Sequence, residues 1–315
     1  MNAKESSAQI RAQVLRAIAL NRYPGYHFCG NFLDMRLTGV KDGNALVEIE
    51  NRPSVQQADG SLSPFALTVA TDFVLANAIR SISDPAARFA TVSMHMQLTG
   101  APLVGALSAR GFFEGFFDHS VGKLGMSRAQ VYAGERLVAF STGSFMVLPA
   151  PGGRALSPVP WINNPAPEVE PPAPESFSDQ ERWLFERGEA AISNAEQTGR
   201  GFLESFLDLD IKPVEGGVHA TLQNGPHIGN RVSHVQGGIS FGMALVAAAA
   251  ALPSGWRAAG ITASFVSPGE GAELRAISSV VHRGRMTAVV QTRILTGDGR
   301  IVLEVTTNHA KLQDQ

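Results

Sequence analysis

Along this chain the apolar positions change period in a fixed order, and that order occurs twice. Ile10, Val14 and Ile18 recur at helical spacing with Arg11 and Arg16 between them, which predicts an amphipathic surface helix over 7–20. Alternation follows. Phe32-Leu33-Asp34-Met35 opens a segment that runs through Lys41-Asp42-Gly43 into Ala45-Leu46-Val47-Glu48-Ile49, a hairpin around an acidic-glycine turn. An apolar stretch over 65–81 predicts one long helix. Strands are then expected near 91–98, 105–117 and 121–133, with Gly134-Glu135-Arg136-Leu137-Val138 leading into a last one.

The second passage repeats the first. A helix is expected near 179–194, with Ser178 and Glu181 at capping-box spacing. Phe206-Leu207-Asp208-Leu209 then runs through Glu215-Gly216-Gly217 into Val218-His219-Ala220-Thr221-Leu222, again a hairpin. The apolar run Ile239 to Leu252 predicts a buried helix, being too short at about fourteen residues to span a bilayer. Strands near 260–266, 272–282 and 285–295 follow, and Gly299-Arg300-Ile301-Val302 enters the last. Between the blocks, nine of the 18 prolines fall from Pro149 to Pro174, which bars a helix or central strand and reads as a semi-rigid linker. A helix apolar on nearly every face must be wrapped, and a curled antiparallel sheet does that.

Composition removes several classes. The 315 residues are 44% hydrophobic and 17% charged, with net charge −2, so neither disorder nor a nucleic-acid footprint is expected. One cysteine, Cys29, excludes an internal disulfide and reads as a small buried hydrophobe. The N-terminus lacks a signal-peptide pattern, and a cytoplasmic location with no membrane span is the expectation. No Gly-x-Ser-x-Gly elbow occurs, which argues against a Ser-His-Asp hydrolase.

Taken in order, these elements and motifs resemble the hotdog fold of acyl-CoA thioesterases, over about 25–149 and 200–312. The fold class implied is α+β: two tandem hotdog domains, 1–149 and 176–315, joined by the linker 150–175 and paired as a pseudo-dimer. The closest resemblance is to thioesterases of the phenylacetic-acid-pathway type. Their signature is an Asn, a His-Gly-Gly turn seven residues on, an Asp eight residues after the first Gly, and a hydroxyl residue on the next strand. In that family one subunit supplies the Asn and Gly, and the other supplies the Asp and hydroxyl.

Here the signature is divided between the blocks. The second has Asn230 and Gln236-Gly237-Gly238, with Gln in place of His, but Leu245 where the acid should be. The first has Ser63-Pro64-Phe65 for the turn, Asp72 eight residues after Pro64, and Thr91 at the hydroxyl position, where the second block has Ala258. The losses are complementary, so pairing the blocks assembles one site from Asp72, Thr91, Asn230, Gln236 and Gly237. The opposite interface, with Leu245, Ala258 and the Ser-Pro-Phe turn, is expected to be inert.

The resemblance implies thioester hydrolysis, with coenzyme A entering only as part of the substrate and no other cofactor. Asp72 would be general base or nucleophile, and its apolar helical neighbours should raise its pKa. The Gly237 N–H, at a helix start, would hold the oxyanion. Thr91 would hold Asp72 or a water, Asn230 would orient the water or carbonyl, and Gln236 could replace the missing His. Gly238 and His234 border the turn, and no metal set surrounds His234. Arg283 and Arg285 flank a hairpin turn and are candidates for the coenzyme A phosphates, with solvated turn arginines as the plainer reading. The acyl-CoA is the expected partner, and pseudo-dimers are expected to associate into a homo-oligomer. Two rivals stay open: a hotdog hydratase or dehydratase, for which Asn77 stands where a His belongs, and a non-catalytic acyl-CoA or small-ligand binder.

Overall fold

The computed structural model describes residues 3–84, 87–119, 121–149 and 159–313. Each block begins with a long helix, α1 (Ala3–Asn21) or α4 (Asp179–Thr198), and then a short one, α2 (Phe28–Phe32) or α5 (Phe202–Leu207). In the first block β1 (Arg36–Lys41), β2 (Asn44–Ile49), α3 (Pro64–Arg80), β3 (Arg88–Leu98), β4 (Leu107–Phe116), β5 (Lys123–Ala133) and β6 (Arg136–Leu148) follow. The second repeats them as β7 (Asp210–Val214), β8 (Gly217–Gln223), α6 (Gly237–Ala250), β9 (Trp256–Phe265), β10 (Glu273–Arg283), β11 (Thr287–Thr296) and β12 (Ile301–Lys311).

Two helices escape the sequence pattern. Phe32 and Phe206, expected to open the hairpin segments, lie in the last turns of α2 and α5 instead, and Asp34 and Asp208 then take left-handed backbone (φ 50° and 52°) to turn the chain into β1 and β7. Helices of five or six residues are too short for a 3.6-residue period to show. The Ser178–Glu181 capping box forms, and α4 closes on left-handed Gly199. Of the linker, 150–158 lies outside the described residues. Beyond it, Ile162 bridges to Leu37 of β1, and Trp161 Nε1 donates to the Gly25 carbonyl at 3.2 Å.

The strands form one antiparallel sheet of twelve, ordered β1-β2-β4-β5-β6-β3-β9-β12-β11-β10-β8-β7. Each half has the same internal order, and the halves join where β3 meets β9. Its register is centred on His95 opposite Thr262, joined by a hydrogen bond of 2.8 Å. Equivalent β3 and β9 residues stand on either side of that pair, as a local twofold axis requires.

Alternation sets which face of each strand turns inward. In β8, Val218, Ala220 and Leu222 are buried while His219 and Gln223 face solvent. The sheet wraps α3 and α6, which are buried along nearly their whole length. Large side chains such as Phe241 and Met243 each contribute about 1.5–3 kcal/mol on leaving water. The two helices touch through Gly238 and Gly242: a Cβ on Gly238 would lie 2.5 Å from Val69 Cα, so only glycine permits this approach. That contact brings the start of α6 against the middle of α3. On one side of the molecule α1 packs on α4, with Val14 against Gly188 and Arg11 gripping both Glu189 oxygens at 2.7 Å.

Candidate active site

Asp72 sits in the middle of α3, facing the N-terminus of α6. Its carboxylate is 7% exposed and is held from three directions. Thr91, at the start of β3, donates its hydroxyl to Oδ1 at 3.1 Å, and Gln236 donates its amide nitrogen to Oδ2 at 2.6 Å. The Gly238 N–H is the third donor. Gln236 is also the N-cap of α6, its Oε1 accepting from Ile239 N–H at 3.0 Å. Because the helix start engages the oxygen, the amide NH2 can only point at Asp72.

Burial pushes the Asp72 carboxyl up to about 6, desolvation outweighing the opposing pull of Thr91, the Gly238 N–H and Gln236. The group is therefore largely ionised near neutrality yet basic enough to take a proton. Gly237 lies directly against it. A Cβ there would stand 3.1 Å from Thr91 Oγ1 and 3.2 Å from each carboxylate oxygen, so the missing side chain leaves room for a reacting oxygen at hydrogen-bond reach.

These groups open on a cavity of about 140 Å3, lined by Asp72, Thr91, Gln236, Gly237 and Asn230. Asn230 Oδ1 is committed to its own loop, accepting from the N–H groups of Val232 (3.0 Å) and His234 (3.1 Å). The His234 side chain turns aside to Glu270 at 2.9 Å, and Gly238 acts through its N–H and its contact with α3. Arg283 and Arg285 are exposed and do not line this cavity. Their turn is tied to the start of β9, since Lys311, paired with Trp256, donates its N–H to the Met286 carbonyl at 2.9 Å.

Four further residues line the cavity without a sequence signal. His27, 8% exposed, stacks on Phe73 at 5.8 Å and meets Trp161 at 6.1 Å. Neither of its ring nitrogens finds a hydrogen-bond partner among the described residues, and burial, then the nearby Arg231 charge, lowers it to about 4. Arg80 lies 4.3 Å above Phe89 and bonds Asn77 Oδ1 and the Ala87 carbonyl, while burial and then Arg231 bring it down to about 10. Arg231, half-buried, completes the charged wall. These residues come from the position capping α2, from α3, from the linker and from the Asn230 loop, and no spacing along the chain relates them. Trp161 stands in a stretch whose prolines suggest only a spacer. The thiol of Cys29 is buried, and burial followed by Asp72 pushes it up to about 12, which makes it unreactive.

The fold is the double hotdog, and known structures share it over nearly the whole chain. The tesB protein of Mycobacterium avium subs paratuberculosis superposes at a TM-score of 0.52 with 10% identity, covering 98% of this chain and 100% of that one. A protein assigned as a thioesterase in Novosphingobium aromaticivorans gives 0.53 with 12% identity over 88% of this chain and 98% of its own. One assigned as an oleoyl thioesterase in Lactobacillus plantarum gives 0.51 with 10% identity over 86% and 96%. No curated protein sequence matches the chain. Residues 228–310 match the family model described as the acyl-CoA thioesterase N-terminal domain. Residues 228–310 therefore resemble an acyl-CoA thioesterase domain, and the chain as a whole shares the double-hotdog fold of these structures. Among the described residues no helix is long and apolar enough to cross a membrane.

Proposed function

We propose that the chain hydrolyses an acyl-CoA thioester at a single composite site between its halves, with Asp72 as the catalytic carboxylate. One observation carries the reading: a buried acid from α3 of one half is held by Gln236 and Gly238 at the helix start of the other. Neither half alone contains both parts.

In this reading a water near Gly237 loses a proton to Asp72 while its oxygen attacks the thioester carbon. The oxyanion that forms meets the N-terminus of α6, where the Gly237 N–H and the helix dipole favour negative charge. Such donors supply about 3 kcal/mol or more of transition-state stabilisation. Collapse breaks the C–S bond, and the proton on Asp72 passes to the departing thiolate. Attack by Asp72 itself, through an anhydride, is the competing route. General-base action is the route followed here, since a carboxyl raised to about 6 by burial is suited to accept a proton near neutrality. Thr91 then positions Asp72. Asn230 lines the cavity and braces the loop before α6 through the bonds its Oδ1 accepts from Val232 and His234.

Asn77 donates to the Phe73 carbonyl and receives Arg80 Nε, so it does not serve as the second acid-base group a hydratase would use. The test is a panel of acyl-CoAs with a thiol reagent, run on wild type, Asp72→Ala and Asp72→Asn. A loss of about a hundredfold or more in both variants, with folding intact, supports the role. Activity surviving in both would remove Asp72 and the single-site reading together.

A further inference from the structure

The opposite interface has the same framework as the Asp72 site. Gln56–Leu62 and Gly229–Val235 close their loops by the same antiparallel bridge, with Gln57 N–H to Ser61 carbonyl and Asn230 N–H to His234 carbonyl both at 2.7 Å. A bulge follows Thr91 where β3 pairs with β6, and the same bulge follows Ala258 where β9 pairs with β12. Position for position, Leu245 therefore stands for Asp72, Ala258 for Thr91, Ser63 for Gln236 and Pro64 for Gly237. Three of these changes remove a group that would act on a thioester. The carboxylate and hydroxyl are gone, and Pro64 has no N–H to offer an oxyanion.

The cavity itself remains and is larger, about 590 Å3 against 140 Å3 at Asp72. It falls within the range of roughly 300–1,000 Å3 usual for small-molecule sites. Its walls are mainly apolar, including Leu67, Leu98, Leu103, Leu245, Val246 and Trp256. Arg200 and Arg257 line it as exposed cations, interspersed with Asp59 and Glu204. The turn carrying Arg283 and Arg285 is held at the same end of the sheet through Lys311, the β12 residue that pairs with Trp256. A mainly apolar cavity of this volume with arginines among its lining residues suits an amphipathic anion.

We infer that this second cavity is a non-hydrolytic binding site for a fatty acyl chain carried on an anionic head, as in a free fatty acid or a fatty acyl-CoA. The same hotdog interface that presents a thioester to Asp72 here keeps the shape for an acyl chain and has lost the chemistry. The inference rests on the twofold relation between the halves and not on turnover.

Calorimetric titration of the full chain tests it, with dodecanoate, S-dodecyl-coenzyme A (a thioether that cannot be hydrolysed) and coenzyme A as probes. Ala249→Phe and Val246→Trp each place a ring in the second cavity, away from the Asp72 cavity, and are expected to leave hydrolysis of short acyl-CoAs unchanged. One equivalent of dodecanoate or of S-dodecyl-coenzyme A, lost or weakened at least tenfold in both variants, is the expected result. Dodecanoate alone showing this assigns the free acid, and the thioether alone assigns the acyl-CoA. A diazirine analogue of dodecanoate should label peptides spanning 98–103 or 245–249, a readout independent of the variants' folding. No binding sensitive to either variant, with labelling absent or confined to the Asp72 cavity, overturns the inference. Binding is read as heat, so a protein inactive on every thioester would still give a clear answer.

Discussion

Replacing Asp72 by Asn should make the protein more stable while abolishing its activity. The carboxyl titrates at about 6 in the folded protein against 3.8 for an unperturbed side chain. A folded value above the unfolded one means the protonated form favours folding. That contribution is present at low pH and is lost as pH rises through 6. At pH 8 the ionised carboxylate thus costs about 3 kcal/mol, and at pH 5 about half as much. Asparagine is neutral at both. Its oxygen can accept from Gln236 and its NH2 can donate to Thr91 Oγ1, so the hydrogen bonds at 2.6 and 3.1 Å need not be lost. Melting followed by fluorescence should show the variant above wild type by roughly 4–6 °C at pH 8. The gap should narrow by about half at pH 5. A variant that melts at or below wild type at pH 8, with a gap independent of pH, would refute the claim that Asp72 is a desolvated carboxylate.

Other outcomes follow from the same geometry. In wild type, kcat/KM should fall about tenfold per pH unit below 6 and reach a plateau above it, as expected for a base that must be ionised. Gln236→Ala removes a donor that lowers the Asp72 pKa, so the acid limb of that profile should move to higher pH, and loss of the N-cap should cost about 1 kcal/mol by denaturant titration. Gly237→Ala puts a methyl 3.1–3.2 Å from Thr91 Oγ1 and the carboxylate oxygens; activity should drop at least about a hundredfold while melting barely changes. Gly238→Ala meets Val69 Cα at 2.5 Å and must push α6 from α3, costing about 1–3 kcal/mol with a parallel loss of turnover.

Much of this molecule is legible in the sequence. The period changes give the element order, the repeat gives two blocks, and the Asn-to-Gly and Gly-to-Asp spacings single out Asp72, Asn230, Gln236 and Gly237 as a set. They are legible because each is local: a strand alternates every two residues, a helix cap lies within four residues of the bonds it completes, and a repeat preserves its intervals. The tertiary structure decided the rest. One continuous twelve-stranded sheet, and not two separate curls, follows from β3 pairing with β9. Gln236 faces Asp72 because Gly238 lets two helices touch 164 residues apart in sequence, and the pKa follows from the burial this produces. His27, Arg80, Trp161 and Arg231 gather round the same cavity from separate elements, and Arg283 and Arg285 stand away from it. Desolvation and cavity shape depend on which surfaces meet, and no interval along a chain records that.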